Sequence, residues 1–341
     1  MLAIKDNYID VDWKEIEEKH LGYCKELLES KIKNFNKNKK NKYYKTIYRY
    51  IKKVIQGTED LNLNNVINCN PERFIEVNDI FNKKLDSLSD NKKYKNTIYH
   101  IFDYDYFSES TKIINRKLNW DAYHLSKKLN IGVCPYCNRQ YTNTIIDYKE
   151  GKITDRYVRA EFDHFLSQQV YPLFRLSLYN LIPCCHICNK IKKDKETTNY
   201  RYIHPYIEGF GNSGKFSMDF LNSGILDHIP SLDSIQIKLI TKGNYKDKID
   251  NQNDLFKIEK IYDESHRDII AELIAKKRLH PDGYLKAVQN IFREANLSME
   301  ELYRLAFGNY CSEKELGNRP LSKLTRDIAL ELGLIEEDFI K

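Results

Sequence analysis

No stretch of the chain approaches the ~18 consecutive apolar residues of a membrane span. Its first residues, MLAIKDNYIDVD, carry Lys5 and Asp6 where a secretory signal would keep its apolar core. A membrane role is therefore not expected, and the chain is expected in the cytoplasm. Glycine and proline are sparse, 13 and 8 among 341 residues, and no internal repeat or low-complexity tract is evident, which argues against a fibrous or wholly disordered protein. What is present suits a globular chain: 41% hydrophobic residues, a mean hydropathy of -0.63, and enough length for two or three domains. The net charge of +6 leans toward an anionic partner without requiring one, because Lys, Asn, Ile and Tyr are abundant throughout.

The eight cysteines are unevenly spread, with five of them between positions 134 and 188. In a reducing compartment such clustering favours metal thiolates over disulfides. Cys134-Pro-Tyr-Cys137 and Cys185-His-Ile-Cys188 are two C-x-x-C knuckles. Each puts two sulfurs at one tight turn, so together they can supply four thiolates to a tetrahedral Zn2+. The 47 residues between Cys137 and Cys185 exceed the usual ~15 to 20 of a compact zinc ribbon, so something folded must lie between the knuckles. Cys184 could serve in place of Cys185, but Cys185 makes the tighter knuckle with Cys188. Cys24, Cys69 and Cys311 read as small apolar core residues.

Apolar residues from Trp13 to Phe35 recur near a 3.6 period and predict an amphipathic helix. From Lys31 to Lys53 there are ten basic residues and no acid, interleaved with Tyr43, Tyr44, Tyr48 and Tyr50. This run reads either as a phosphate-binding surface with tyrosines that stack on bases or as a solvated helix face. Helices are also expected over 71–88, 98–129, 255–279, 284–307 and 321–332, and short strands over 141–146, 157–162 and 235–240. The segment GFGNSG at 209–214 matches a dinucleotide-binding pattern only formally; without a preceding strand it reads as a turn.

The insert between the knuckles contains Glu161-Phe-Asp163-His164-Phe165, then Asn180, then the second knuckle followed by Asn189-Lys-Ile-Lys192. A histidine with a reference pKa near ~6.5 can act as a base at neutral pH. Phosphodiester hydrolysis needs such a base together with a cation on the phosphate. Adjacent residues on a strand face opposite ways, so Asp163 and His164 need an irregular strand end to share a site. Glu161 has the parity of Asp163 and is either a second acidic ligand, a water orienter or a surface carboxylate. His186, between the knuckle cysteines, is expected to be exposed, and His204-Pro205-Tyr206 to pack.

The order Asp-His, Asn, then Cys-x-x-Cys-Asn-x-x-Lys resembles the HNH endonuclease family, over about 75 residues from Cys134. Asn180 follows His164 by 16 positions and Asn189 follows Asn180 by nine. The resemblance implies a small zinc-stapled ββα-metal core at 129–206; with the helical reading of 1–128 and the mainly helical reading of 207–341 on either side, an α+β protein is expected. The resemblance also implies that Asp163 and Asn189 hold a catalytic Mg2+ or Mn2+, that His164 activates water, and that Asn180 orients the catalytic loop. The third position of the family, often His, is here Asn189, still an oxygen ligand. Lys192, one turn beyond Asn189, is expected to contact a substrate phosphate. The implied activity is DNA cleavage. The motifs are also similar to the HNH subunits of Septu-type anti-phage systems, which work beside an ATPase partner. The alternative is a non-catalytic zinc-braced module that binds nucleic acid or protein.

Overall fold

Helix α1 (Trp13–Asn36) forms as the apolar spacing predicts: Ile16, Tyr23, Cys24, Leu27, Leu28 and Ile32 are buried along one side. Asp12 caps it, its carboxylate accepting from the Glu15 N–H at 3.0 Å. His20 is also on the buried side, a position the apolar pattern did not include. The computed structural model describes residues 1–7, 11–36, 42–57, 61–85, 91–109, 120–149, 152–193, 195–281 and 283–336. These residues form helices and three two-stranded antiparallel sheets, a mixture compatible with the α+β class. Among them no helix is long and apolar enough to cross a membrane.

The chain forms two compact units, one built from 10–131 and 142–199, the other from 1–9, 132–141 and 200–341. The three stretches read from the sequence are therefore distributed differently. Most of the helical 1–128 stretch falls in the first unit, and the cysteine-bearing 129–206 stretch contributes to both.

In the first unit, strands β1 (Ile145–Lys149) and β2 (Lys152–Val158) make one hairpin. Strands β3 (Glu161–His164) and β4 (Leu181–Cys184) make the next, with Asp163 opposite Ile182 and His164 opposite Leu181. Helix α2 (His186–Lys192) follows β4 directly. Strand β1 starts later than the expected 141–146, because the polar residues after Tyr141 form a loop before pairing begins, and the expected strand at 157–162 falls across the end of β2 and the start of β3. The expected helix over 98–129 is interrupted. Asp103 and Asp121 each accept a backbone N–H at the start of a new helix, Tyr104–Ser108 and Ala122–Leu129.

The basic run contributes helix Lys42–Gln56, which buries Ile47, Tyr48, Tyr50, Ile51 and Val54 and exposes Lys45, Arg49 and Lys52. Tyr48 and Tyr50 are core residues, so the expectation that they stack on bases is corrected. Residues 37–41, and the side chains of Tyr43 and Tyr44, lie outside the described residues.

In the second unit, β5 (Gly214–Phe220) pairs along its whole length with β6 (Ile235–Thr241). Buried Ile235 and Ile237 alternate with less buried neighbours, as a one-sided sheet requires. The GFGNSG segment is a 3-10 turn leading into β5. Gly209 lies so close to the backbone of Ala3 that a Cβ there would sit 2.7 Å from its nitrogen, so only glycine fits. The helical stretches expected over 255–279 and 284–307 are each broken. Left-handed Lys257 breaks the first, and left-handed Asn296 precedes the capping residue Ser298 in the second. Helix α3 (Ser322–Glu331) closes the unit, and its Asp327 accepts the Phe216 N–H of β5 at 3.0 Å.

Candidate metal centre and adjoining cleft

The first knuckle is a turn held by the Asn138 N–H on the Cys134 carbonyl at 2.8 Å and the Cys134 N–H on the Gln140 carbonyl at 2.9 Å. Asn138 takes a left-handed conformation, φ 51°, which asparagine tolerates. Its amide donates to the Leu316 carbonyl at 2.9 Å and its oxygen accepts the Lys323 N–H at 3.1 Å. The Tyr262 hydroxyl donates to the Cys137 carbonyl at 2.7 Å. In the second knuckle Cys185 is the N-cap of α2, and its sulfur accepts the Cys188 N–H at 3.5 Å.

The sulfurs of Cys134, Cys137, Cys185 and Cys188 all lie within 4.8 Å of one another, and all four residues are buried. Tetrahedral Zn2+ with bonds of about 2.3 Å requires sulfur separations of this order, so the set fits a metal such as zinc. Cys185, not Cys184, belongs to the cluster. Burial and the nearby Asp163 charge push the Cys184 thiol well above its usual range, so it stays protonated at the end of β4.

The β3–β4 hairpin and α2 carry the residues predicted for chemistry. Asp163, His164 and Asn189 all line one cleft of about 630 Å3, with Tyr104, Arg159, Glu161, Lys190 and Lys193 also in its wall. Although Asp163 and His164 are consecutive, both reach the cleft because His164 is the last residue of the strand. The His164 Nε2 lies 3.0 Å from the Arg175 carbonyl. A carbonyl only accepts, so Nε2 carries the hydrogen and Nδ1 is left as the acceptor. Tyr104 packs edge-on to the ring at 4.6 Å. Burial lowers the His164 pKa to about 3, against the opposing effect of the Arg175 carbonyl, so the ring is neutral near pH 7.

Asn180 does not enter the cleft wall. Fully buried, it accepts the Leu166 N–H at 2.7 Å and donates to the carbonyls of Leu166 and Phe174 at 3.3 and 3.1 Å. It thus ties the start of the loop from Phe165 to Tyr179 to the Phe174 carbonyl, next to Arg175.

Glu161 bridges α2: one carboxylate oxygen is 2.7 Å from His186 Nδ1 and the other accepts from the Asn189 amide at 2.7 Å. Burial alone would raise its pKa, but the Asn189 and His186 hydrogen bonds outweigh it and hold the pKa below the usual value. The bond from Asn189 Nδ2 fixes its amide so that the carbonyl oxygen is the remaining metal-type donor. His186 is exposed, as expected.

Lys192 is placed differently from the expectation. It is 1% exposed, and its ammonium is 3.1 Å from Asp163 Oδ1 and 2.7 Å from the His164 carbonyl. The predicted phosphate contact is corrected: the positive charge is spent inside, beneath β3, where it offsets the burial of Asp163.

Arg175 went unseen in the sequence. It is 1% exposed, stacks on Tyr99 at 3.5 Å and donates to the carbonyls of Tyr99 and Phe102, to Gln168 and to Asp105. No sequence signal separates a buried arginine from a solvated one. No family model matches the chain, and no curated protein or solved structure is significantly similar to it.

Proposed function

We propose that the chain is a metal-dependent HNH-type endonuclease that hydrolyses DNA phosphodiester bonds and leaves 3′-hydroxyl and 5′-phosphate ends. The observation that carries this reading is the orientation of His164. Its Nε2–H is committed to the Arg175 carbonyl, and Nδ1 is the acceptor on a residue sharing a cleft with Asp163 and Asn189.

Asp163 and Asn189 would hold Mg2+ or Mn2+. Asp163 gives one oxygen to Lys192, but a carboxylate offers about four lone-pair positions and can serve both. When bound, such a cation neutralises charge on the scissile phosphate and the leaving oxygen. His164 accepts the proton of the attacking water at Nδ1. An anionic phosphate in the cleft favours the protonated ring and offsets part of the burial that keeps it neutral in the free protein. Asn180 holds the loop that carries the Arg175 carbonyl, and thereby the ring. The four cysteines brace the module with zinc. The resemblance to Septu-type subunits extends the proposal to cytoplasmic defence against phage or foreign DNA beside an ATPase partner; an adjoining ATPase gene and reduced phage plating test that role.

A second reading, a zinc-braced binding module without hydrolysis, is favoured by the Asp163–Lys192 ion pair, which fills one carboxylate position. Plasmid cleavage under Mg2+ or Mn2+ titration decides between them. Wild type nicks or linearises the plasmid. His164→Ala loses at least about 100-fold in rate while retaining its zinc. Full activity in His164→Ala overturns the mechanism, and no cleavage by wild type under any divalent ion selects the binding module.

A further inference from the structure

With Lys192 buried, the cleft needs another group to meet an anionic strand. Arg159 spends its guanidinium on the Ala160 carbonyl and the Ser108 hydroxyl, at 2.7 and 2.9 Å. Among the described residues lining the cleft, Lys190 and Lys193 are the cations without an ion pair or hydrogen bond from the side chain, and both are exposed.

Lys193 differs from Lys190 in its backbone. It ends α2, its N–H donating to the Asn189 carbonyl at 2.9 Å, with φ 47° and ψ -129°. The Lys195 N–H donates to the Lys192 carbonyl at 3.0 Å and closes a turn with Lys193 at its second position. Those angles lie in a region dominated by glycine, because a Cβ is strained there. If only the turn mattered, glycine would serve it better. A long cationic side chain held at strain in a cleft wall indicates that its charge is used.

We infer that Lys193 is a substrate-binding residue that contacts a backbone phosphate of nucleic acid entering the cleft. The inference rests on the nucleic-acid reading above but not on hydrolysis. Its signature is a substitution with opposite effects on stability and on binding.

The experiment uses the full chain and a fluorescent duplex of about 20 base pairs, without added Mg2+, over a range of salt concentrations. Lys193→Gly raises the melting temperature by a few degrees and weakens binding about five- to tenfold. It also makes the slope of log affinity against log salt shallower by about one, as expected for one lost phosphate contact. Lys193→Arg keeps the affinity within about twofold, since the charge remains. A glycine variant with wild-type affinity and salt slope overturns the assignment. A glycine variant that loses stability together with affinity also overturns it, because the residue is then structural. Wild-type protein that binds no duplex removes both readings. Binding that depends on Lys193 without cleavage under Mg2+ or Mn2+ removes hydrolysis and leaves the contact in place.

Discussion

His164 owes its usable nitrogen to the Arg175 carbonyl 11 residues away, in a loop that Asn180 ties at the neighbouring Phe174 carbonyl and that the buried Arg175 side chain anchors. The asparagine acts through its NH2 on two carbonyls and through its oxygen on one N–H. Asn180→Asp keeps the size and the acceptor but turns the donor into an oxygen facing the Leu166 and Phe174 carbonyls. The substitution is expected to cost about 2 to 3 kcal/mol of stability, the penalty of unmatched buried polar groups. It should also lower kcat with little change in KM, because the ring position is disturbed while the cleft wall is kept. Denaturant midpoints and steady-state cleavage kinetics measure the two effects. An aspartate variant with wild-type kcat would remove Asn180 from the positioning of His164.

The hairpin β3–β4 and helix α2 were legible in outline because the sequence encodes them by short-range order: Asp163 and His164 together, Cys185 and Cys188 three apart, Asn189 one further on. Each of those relations lies within one turn or one strand. Lys192 and Arg175 were not legible, since a lysine at helical spacing from Asn189 reads the same whether it meets solvent or a buried carboxylate. Strand β5 was missed for another reason: its Gly and Ser neighbours read as turn, and its pairing with β6 involves residues about 20 positions away. The choice between Cys184 and Cys185 was open to sequence only as a preference. It gives a direct comparison. Cys185→Ser removes one of four clustered sulfurs and should lose most bound zinc and lower the melting temperature, since metal binding is coupled to folding. Cys184→Ser, outside the cluster, should keep a full equivalent of zinc. Zinc content by elemental analysis and thermal melts check both; equal zinc loss in the two variants would contradict the cluster as drawn.

Both compact units bury histidine, and this makes acid stability a property of the whole chain. His20 and His164 belong to the first unit and His204 to the second; each is 8% exposed or less. Burial lowers the pKa of His20 to about 4 and of His164 and His204 to about 3. An unfolded histidine titrates near 6.5, so below that pH the unfolded chain binds protons that the folded chain does not. The stabilisation is therefore complete above pH 6.5 and declines as pH falls toward 4 and then 3. Once below the unfolded pKa, each histidine contributes about 1.4 kcal/mol of loss per pH unit. Carboxylates held low by partners, such as Asp121 beneath His124 and Arg156, lose stability in the same direction as pH falls through their own range. Urea midpoints should thus change little between pH 8 and 7 and drop steeply between pH 6 and 4.5. His20 accepts the Trp120 indole N–H at Nδ1, 3.2 Å away, and donates from Nε2 to the Leu176 carbonyl at 2.7 Å. His20→Gln can keep one of these bonds without titrating. It should lower stability at pH 7.5 yet make the acid slope shallower by up to one proton's worth. An unchanged slope would show that His20 is charged in the folded state, against the burial that surrounds it.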